Sequence, residues 1–190
     1  LPTTVFLKLR DIGQKVLPPY EEQFLEVPMA EVQGEAYRRM QGILVQELKH
    51  ALVLHDNSLL GVVMNVLLAW PDCAFRFESV QHPRSRKVLY SQPAVFSEGE
   101  SSPKELELLR ICKEEKANGR RVLAYSIYSG TRDTTARLKS QLEQEGLKVG
   151  VLRASVDAAR REDWVADQVE RGIDVMICNP ELVKTGLDLL

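Results

Sequence analysis

The sequence is short of several things, and each shortage excludes a class of function. It has no long hydrophobic run: the longest apolar stretch, Leu59 to Trp70, is interrupted by Asn65 and falls short of the roughly 20 residues a helix needs to cross a bilayer. No basic-then-apolar leader opens the chain, so no membrane partner is expected. Cysteine is scarce. Cys73, Cys112 and Cys178 lie far apart among apolar neighbours, which is neither a disulfide framework nor a zinc ligand set and suits a reducing cytoplasm. His50, His55 and His82 share no metal-binding spacing, so no metal is expected. Excess positive charge is missing as well: the net charge of -2 excludes a globally basic nucleic-acid binder and leaves only a local basic surface to look for. Finally, there is no Gly-x-x-x-x-Gly-Lys-Ser/Thr loop, no Asp-Glu pair after an apolar strand and no Gly-x-Gly-x-x-Gly fingerprint. Phosphoryl transfer needs a phosphate loop, a magnesium-holding acid and a charge-stabilising arginine together. The sequence offers none of these sets, so no catalytic residue is assigned.

What is there reads as a packed protein, with 44% hydrophobic residues. The chain starts at Leu1 without Met and stops on the apolar run Gly186 to Leu190, which leads us to expect a piece of a longer polypeptide. Residues 1–29 read as an extended linker with strand-like pieces at Thr4 to Leu7 and Glu22 to Val27, the second a candidate to join a sheet. Between them Pro18-Pro19 blocks any helix. Across 30–74, Val32, Ala36, Met40, Ile43, Leu44, Leu48, Ala51 and Leu52 recur at helical spacing. A second helix is expected from an Asn57 N-cap to Trp70, ended by Pro71. Together these predict a helical hairpin. Residues 75–101 are polar and punctuated by Pro83, Pro93 and Gly99, and predict a surface connector with one strand at Lys87 to Tyr90. The basic run Arg84 to Lys87 inside it is read as a solvated loop.

From residue 102 the pattern alternates. Ser102-Pro103-Lys104-Glu105 is a capping box with proline at the first helical position. Strands are expected at Arg121 to Tyr128, Lys148 to Leu152 and Asp174 to Cys178, with helices at Thr131 to Glu145 and Asp157 to Arg171 closed by Gly146 and Gly172. Such alternation predicts an α/β fold with a parallel sheet, helices on both faces, and ligands at the carboxyl ends of the strands. Three loops lie there: Tyr128 to Arg132, Arg153 to Asp157, and Asn179 to Gly186.

Each loop carries candidate residues and a plainer alternative. Ser129, Gly130, Thr131 and Arg132 stand between a strand end and a helix start, where free N–H groups, two hydroxyls and a guanidinium make a phosphate cradle; otherwise they are an N-cap in a tight turn. Arg153 and Ser155 fit a nucleic-acid backbone contact that reads no bases, or else Arg153 pairs with Asp157 at the surface. Arg160 and Arg161 oppose the dipole of the helix they begin, which asks for a functional or ion-pair reason that Glu162 and Asp163 also supply. Thr185-Gly186 permits close backbone approach to a ligand, the alternative being an irregular turn. Trp70 and Trp164 are read as core.

The order and content of these segments resemble the second RecA-like lobe of superfamily two helicases, and most closely the Swi/Snf-like DNA translocases. Val122-Leu123-Ala124-Tyr125-Ser126 is similar to that family's motif IV strand, and Leu152-Arg153-Ala154-Ser155 to its next strand end. Arg161, Trp164, Val165, Val169 and Gly172 resemble its arginine-led helix. Asp174 to Pro180, then Thr185 to Leu189, resembles motif V, with Asp188 in place of the Asn usual in Swi/Snf-like members and closer to the DEAD-box branch. Upstream, Leu17 to Val27, Gln33 and Tyr37 resemble the linker that enters this lobe, and 30–74 the family's protrusion.

The resemblance implies a parallel RecA-like (P-loop NTPase-type) sheet across 102–190, truncated after motif V, with an N-terminal helical hairpin protrusion. It implies nucleic-acid contacts at Ser129, Gly130, Thr131, Arg132, Arg153, Ser155 and Thr185, and nucleotide contacts at Gly186 and Asp188, the last toward a ribose hydroxyl. DNA is the implied partner, with RNA open, together with a first RecA-like lobe in cis. ATP and magnesium are implied for a full-length parent only, an ATP hydrolase, and this chain alone is expected to be inactive. The rival is a stand-alone Rossmann-like nucleotide-binding or protein-interaction module, in which the hairpin is a docking surface.

Overall fold

The structure, a computed structural model, describes residues 21–184. The expected strand at Thr4 to Leu7, and Thr185, Gly186 and Asp188, lie outside the described residues. The protein is α/β, with a three-stranded parallel sheet flanked by helices and a separate helical and β-hairpin module ahead of it.

That module begins with α1 (Glu31–Val53), which buries Gln33, Ala36, Met40, Leu44 and Ala51 along one face. The helix turns out through His55, whose φ of 57° is left-handed. Helix α2 (Ser58–Cys73) starts without the expected Asn57 side-chain cap; the Asp56 carboxylate accepts from the Ser58 amide at 2.9 Å instead. Proline does not end it either. Pro71 sits inside the last turn, where its missing N–H orphans the Leu67 carbonyl. The Tyr37 hydroxyl donates to that carbonyl at 3.2 Å, so the break costs little.

The stretch expected to be a connector is a β-hairpin, β1 (Glu78–Gln81) against β2 (Val88–Gln92), antiparallel. Its signal is faint because its strands are half polar: Glu78 and Gln92 are among the buried residues. Val80 enters the core of α1 and α2 beside the fully buried Met40, Leu44 and Trp70. The basic run is the turn of this hairpin, held by His82 Nδ1 accepting the Arg84 and Ser85 amides at 3.2 and 3.4 Å. Glu22 to Val27 forms no strand; it is irregular and mostly exposed.

In the second unit, α3 (Pro103–Ala117) starts on the expected capping box: the Glu105 amide donates to Ser102 Oγ at 3.3 Å, and the Ser102 amide donates to Glu105 Oε2 at 2.7 Å. Strands β3 (Val122–Tyr125), β4 (Val149–Leu152) and β5 (Val175–Cys178) form one parallel sheet in the order β3-β5-β4. Register aligns Val122 and Val149 with Val175 on either side. Helices α3 and α4 (Thr135–Gln144) cover one face, where Leu108, Cys112, Leu138 and Leu142 pack on Ala124, Val149, Val175 and Ile177. Helix α5 (Arg161–Glu170), entered through a 3-10 turn at Ala158–Arg160, covers the other over β4. Opposite faces for α4 and α5 follow from the order: the chain steps two places outward to β4 and one place back to β5.

Candidate nucleic-acid interface

All three parallel strands point their carboxyl ends the same way, so the loops after β3, β4 and β5 share one edge. Helix α4 begins four residues later than expected, at Thr135, and this changes the chemistry of the first loop. Ser129 to Arg132 are not at a helix N-terminus. That terminus is already occupied: Asp133 Oδ1 accepts from the Thr135 amide at 2.8 Å and from the Thr135 hydroxyl at 2.6 Å. A helix-dipole cradle at 129–132 is therefore not formed, and the anion the dipole attracts is the chain's own carboxylate. Burial pushes the Asp133 carboxyl up, but the two Thr135 bonds and Arg153 outweigh it and hold the group below the usual carboxylate range.

Arg132 turns inward. Its Nε and Nη2 donate to the two oxygens of Glu78 at 3.1 and 2.7 Å, and Nη1 donates to Asn65 Oδ1 at 2.6 Å. A planar fork with all three nitrogens engaged in this way is a structural clamp, and the guanidinium proposed from sequence as a phosphate ligand is committed to the hairpin module. Thr131 is exposed, and its carbonyl accepts from Arg76. Gly130 is exposed, and neither its φ nor any crowding within the chain calls for glycine. The Ser129 hydroxyl accepts from Asn179 Nδ2 at 3.0 Å.

Arg153, just past β4, behaves differently. Its side chain is 53% exposed, and its one ion pair among the described residues joins Nη1 to Asp133 Oδ2 at 3.3 Å. The partner is Asp133 and not the Asp157 of the plainer alternative, whose carboxylate instead caps the Ala159 amide at 2.9 Å. Ser155 is exposed in the turn that the Val156 amide closes onto the Arg153 carbonyl at 3.0 Å.

The chain matches no known family model, and no curated protein matches it.

Two residues outside the set of candidate contacts, Asn179 and Arg161, hold this edge together. Asn179 Nδ2 also donates to the Ile127 carbonyl at 3.3 Å while its Oδ1 accepts from the Glu181 amide at 3.0 Å, pinning the loop after β3 to the loop after β5. Arg161 donates through Nε to the Val156 carbonyl at 3.3 Å and through Nη1 to the Leu182 carbonyl at 2.9 Å, pinning the loop after β4 to the loop after β5. The signal for Arg161 was visible as a cation at a helix start. Its carbonyl partners were not, because backbone acceptors leave no mark in sequence. Among the described residues no group of His, Cys, Asp and Glu side chains is placed to hold a metal ion, and no helix is long and apolar enough to cross a membrane.

The arrangement thus brings Ser129, Asp133, Arg153, Ser155 and Asn179 to one edge and removes Arg132 from it. What remains there is the half-exposed Arg153 guanidinium, paired with Asp133, with the exposed Ser129 and Ser155 on the loops after β3 and β4.

Proposed function

We propose that this chain is the second RecA-like lobe of a Swi/Snf-like, ATP-dependent DNA translocase. Its part is to grip one strand's phosphates along the carboxyl edge of the sheet. The observation that carries the reading is the β3-β5-β4 parallel sheet with Arg153 exposed at the carboxyl end of β4, at the position the motif resemblance assigns to a backbone contact. Ser155, two residues on, and Ser129, on the loop after β3, supply neutral donors on the same edge, whereas Arg132 acts from behind it. ATP and magnesium belong to the parent motor, whose first lobe supplies the phosphate loop and acid absent from this sequence; DNA, with RNA as an alternative strand, belongs to this edge.

Purified chain and a fluorescent DNA duplex, titrated by anisotropy over a range of salt, test the reading. Binding is expected to be weak and sequence-independent, falling steeply with salt as counterions are reabsorbed. Arg153→Ala lowers the salt slope by about one unit. Arg86→Ala, at the hairpin turn, leaves it in place. Equal effects of the two, or no binding at low salt, overturn the reading.

A second reading draws on α2. Leu60, Met64 and Leu68 are 45%, 48% and 66% exposed at helical spacing, an unpaired apolar stripe of the kind that docks proteins. On that reading the module is an interaction unit, and duplex binding is absent at every salt concentration.

A further inference from the structure

In the first loop of the edge, Thr131 and Arg132 are held from outside the sheet. Arg132 makes its three side-chain bonds to Glu78 at the start of β1 and to Asn65 on α2. The main chain beside it is held by the same module, through Arg76 donating to the Thr131 carbonyl and the Cys73 thiol 4.0 Å from the Arg132 carbonyl. Glu78 is 8% exposed and Arg132 21%, so this ion pair is largely withdrawn from water, unlike the chain's many surface pairs.

The next residue is Asp133. One of its oxygens caps α4, and the other is the partner of Arg153. Two consecutive residues, Arg132 and Asp133, therefore connect a buried carboxylate in the hairpin module to the exposed guanidinium on the sheet edge. The sheet unit holds the loop on either side of these residues, Asn179 at Ile127 and Ser129 and the Thr134 amide on the Tyr128 carbonyl at 3.0 Å, but it makes no bond to the Arg132 side chain among the described residues.

We propose that Glu78 is a positioning residue for the phosphate-gripping edge: by locking Arg132 it fixes Asp133, and Asp133 sets where Arg153 stands. The inference rests on the reading of Arg153 as a backbone contact. The hairpin module is then more than an appendage. A shift of β1 or α2 moves Asp133 and so alters the grip, which is a route by which a partner on the module would regulate it.

Glu78→Gln, Arg153→Ala and the double variant, each titrated with the same duplex, form the test. Removing a negative charge from the chain ought by electrostatics alone to strengthen binding. Positioning predicts the opposite. Glu78→Gln weakens binding about tenfold, the scale of one charge-assisted hydrogen bond, and lowers the salt slope by about one unit. The double variant is no weaker than Arg153→Ala, because both changes remove one contact. Tighter binding by Glu78→Gln, or additive losses in the double variant, overturns the proposal.

Amide exchange makes the clamp testable apart from any nucleic acid. Glu78→Gln should speed exchange at Thr135, whose amide Asp133 caps, about tenfold, with Val149 to Leu152 unchanged. If the parent chain binds no duplex, the reading of the edge fails while this measurement still decides the clamp; unchanged exchange at Thr135 sinks it. Should Glu78→Gln not fold, Arg132→Lys keeps the charge and loses the bidentate fork, and the same two readouts apply with the same signs.

Discussion

At the scale of single residues, the arginines divide by what surrounds them, and sequence could not sort them. Arg137 is the clearest case. Its side chain is 9% exposed, paired with Glu105 at 2.6 Å and stacked 4.6 Å over the Phe75 ring. It also donates to the carbonyls of Ser97 and Glu100. Arg137→Ala leaves the 11%-exposed Glu105 carboxylate without its counter-charge, and chemical denaturation should report a loss of about 3–5 kcal/mol, the usual result of halving a buried pair. The same pair predicts an acid response. Burial raises the Glu105 pKa, but the bonds from Arg137 and Ser102 outweigh it, so the folded value lies below its ordinary 4.5. The stability it contributes is complete above pH 4.5 and is lost as pH falls through the folded value. Wild type should therefore lose stability below pH 4.5 more steeply than Arg137→Met in parallel urea melts; equal slopes would mean that Glu105 is not held by Arg137. Arg132 and Arg161 teach the same lesson as Arg137. Their chemistry is fixed by Glu78, and by two carbonyls, far away in sequence or invisible in it.

At the scale of elements, one glycine sets how closely α5 can lie on the sheet. A Cβ on Gly150 would stand 2.8 Å from Ile173 Cδ1, 3.2 Å from Gln168 Oε1 and 3.4 Å from the Trp164 ring. Gly150→Ala should thus cost about 1–3 kcal/mol through overpacking. Adding Ile173→Val, which deletes the nearest carbon, should return part of that loss in the same urea melts; an additive loss would place the strain elsewhere. The elements themselves were mostly legible. Strands β3, β4 and β5 were found because a parallel sheet is apolar on both faces and its strands read as short unbroken runs. The capping box fixed the start of α3, and Gly146 and Gly172, at φ of 81° and 73°, closed α4 and α5. Besides the Asn57 cap and the Glu22 to Val27 strand, three features escaped. The hairpin β1–β2 hides polar residues inside, Pro71 is excused by a hydroxyl contributed by α1, and α4 starts late because Asp133 caps it where Thr131 had been expected to begin it. The first two are tertiary contacts overriding a local rule; the third is a local turn, in which Asp133 binds the Thr135 amide two residues on. The same override removed Arg132 from the candidate site while leaving Arg153 and Ser155 exposed on it.

At the scale of the whole molecule, the two units have separate apolar cores joined by polar clamps. One core gathers Met40, Leu44 and Trp70 with Val80, and the other gathers Cys112, Leu142 and Ile177. The links between them include Arg132 with Glu78 and Asn65, Arg76 with the Thr131 carbonyl, Lys104 with Asp72, and Arg137 over Phe75. Units tied in this way open separately more readily than units sharing one core. The cysteines are placed to report it. Cys73 lies by the clamp in the first unit, Cys112 and Cys178 lie in the second, and all three are at most 1% exposed. Burial pushes the thiols of Cys73 and Cys112 up from 9.0 to about 11 and raises Cys178 as well. Alkylation at pH 8 should accordingly be slow for the folded chain and become fast only on opening. The second unit should open first. Its sheet has three strands, β3 carries no outer neighbour among the described residues, and Tyr125 and Ile127 there are 55% and 63% exposed. In a urea series read by peptide mass spectrometry, Cys112 and Cys178 should become labelled together, at lower urea than Cys73. Labelling of all three at one midpoint would mean that the polar clamps alone make the two units a single cooperative body, and Glu78→Gln should then split that midpoint in two.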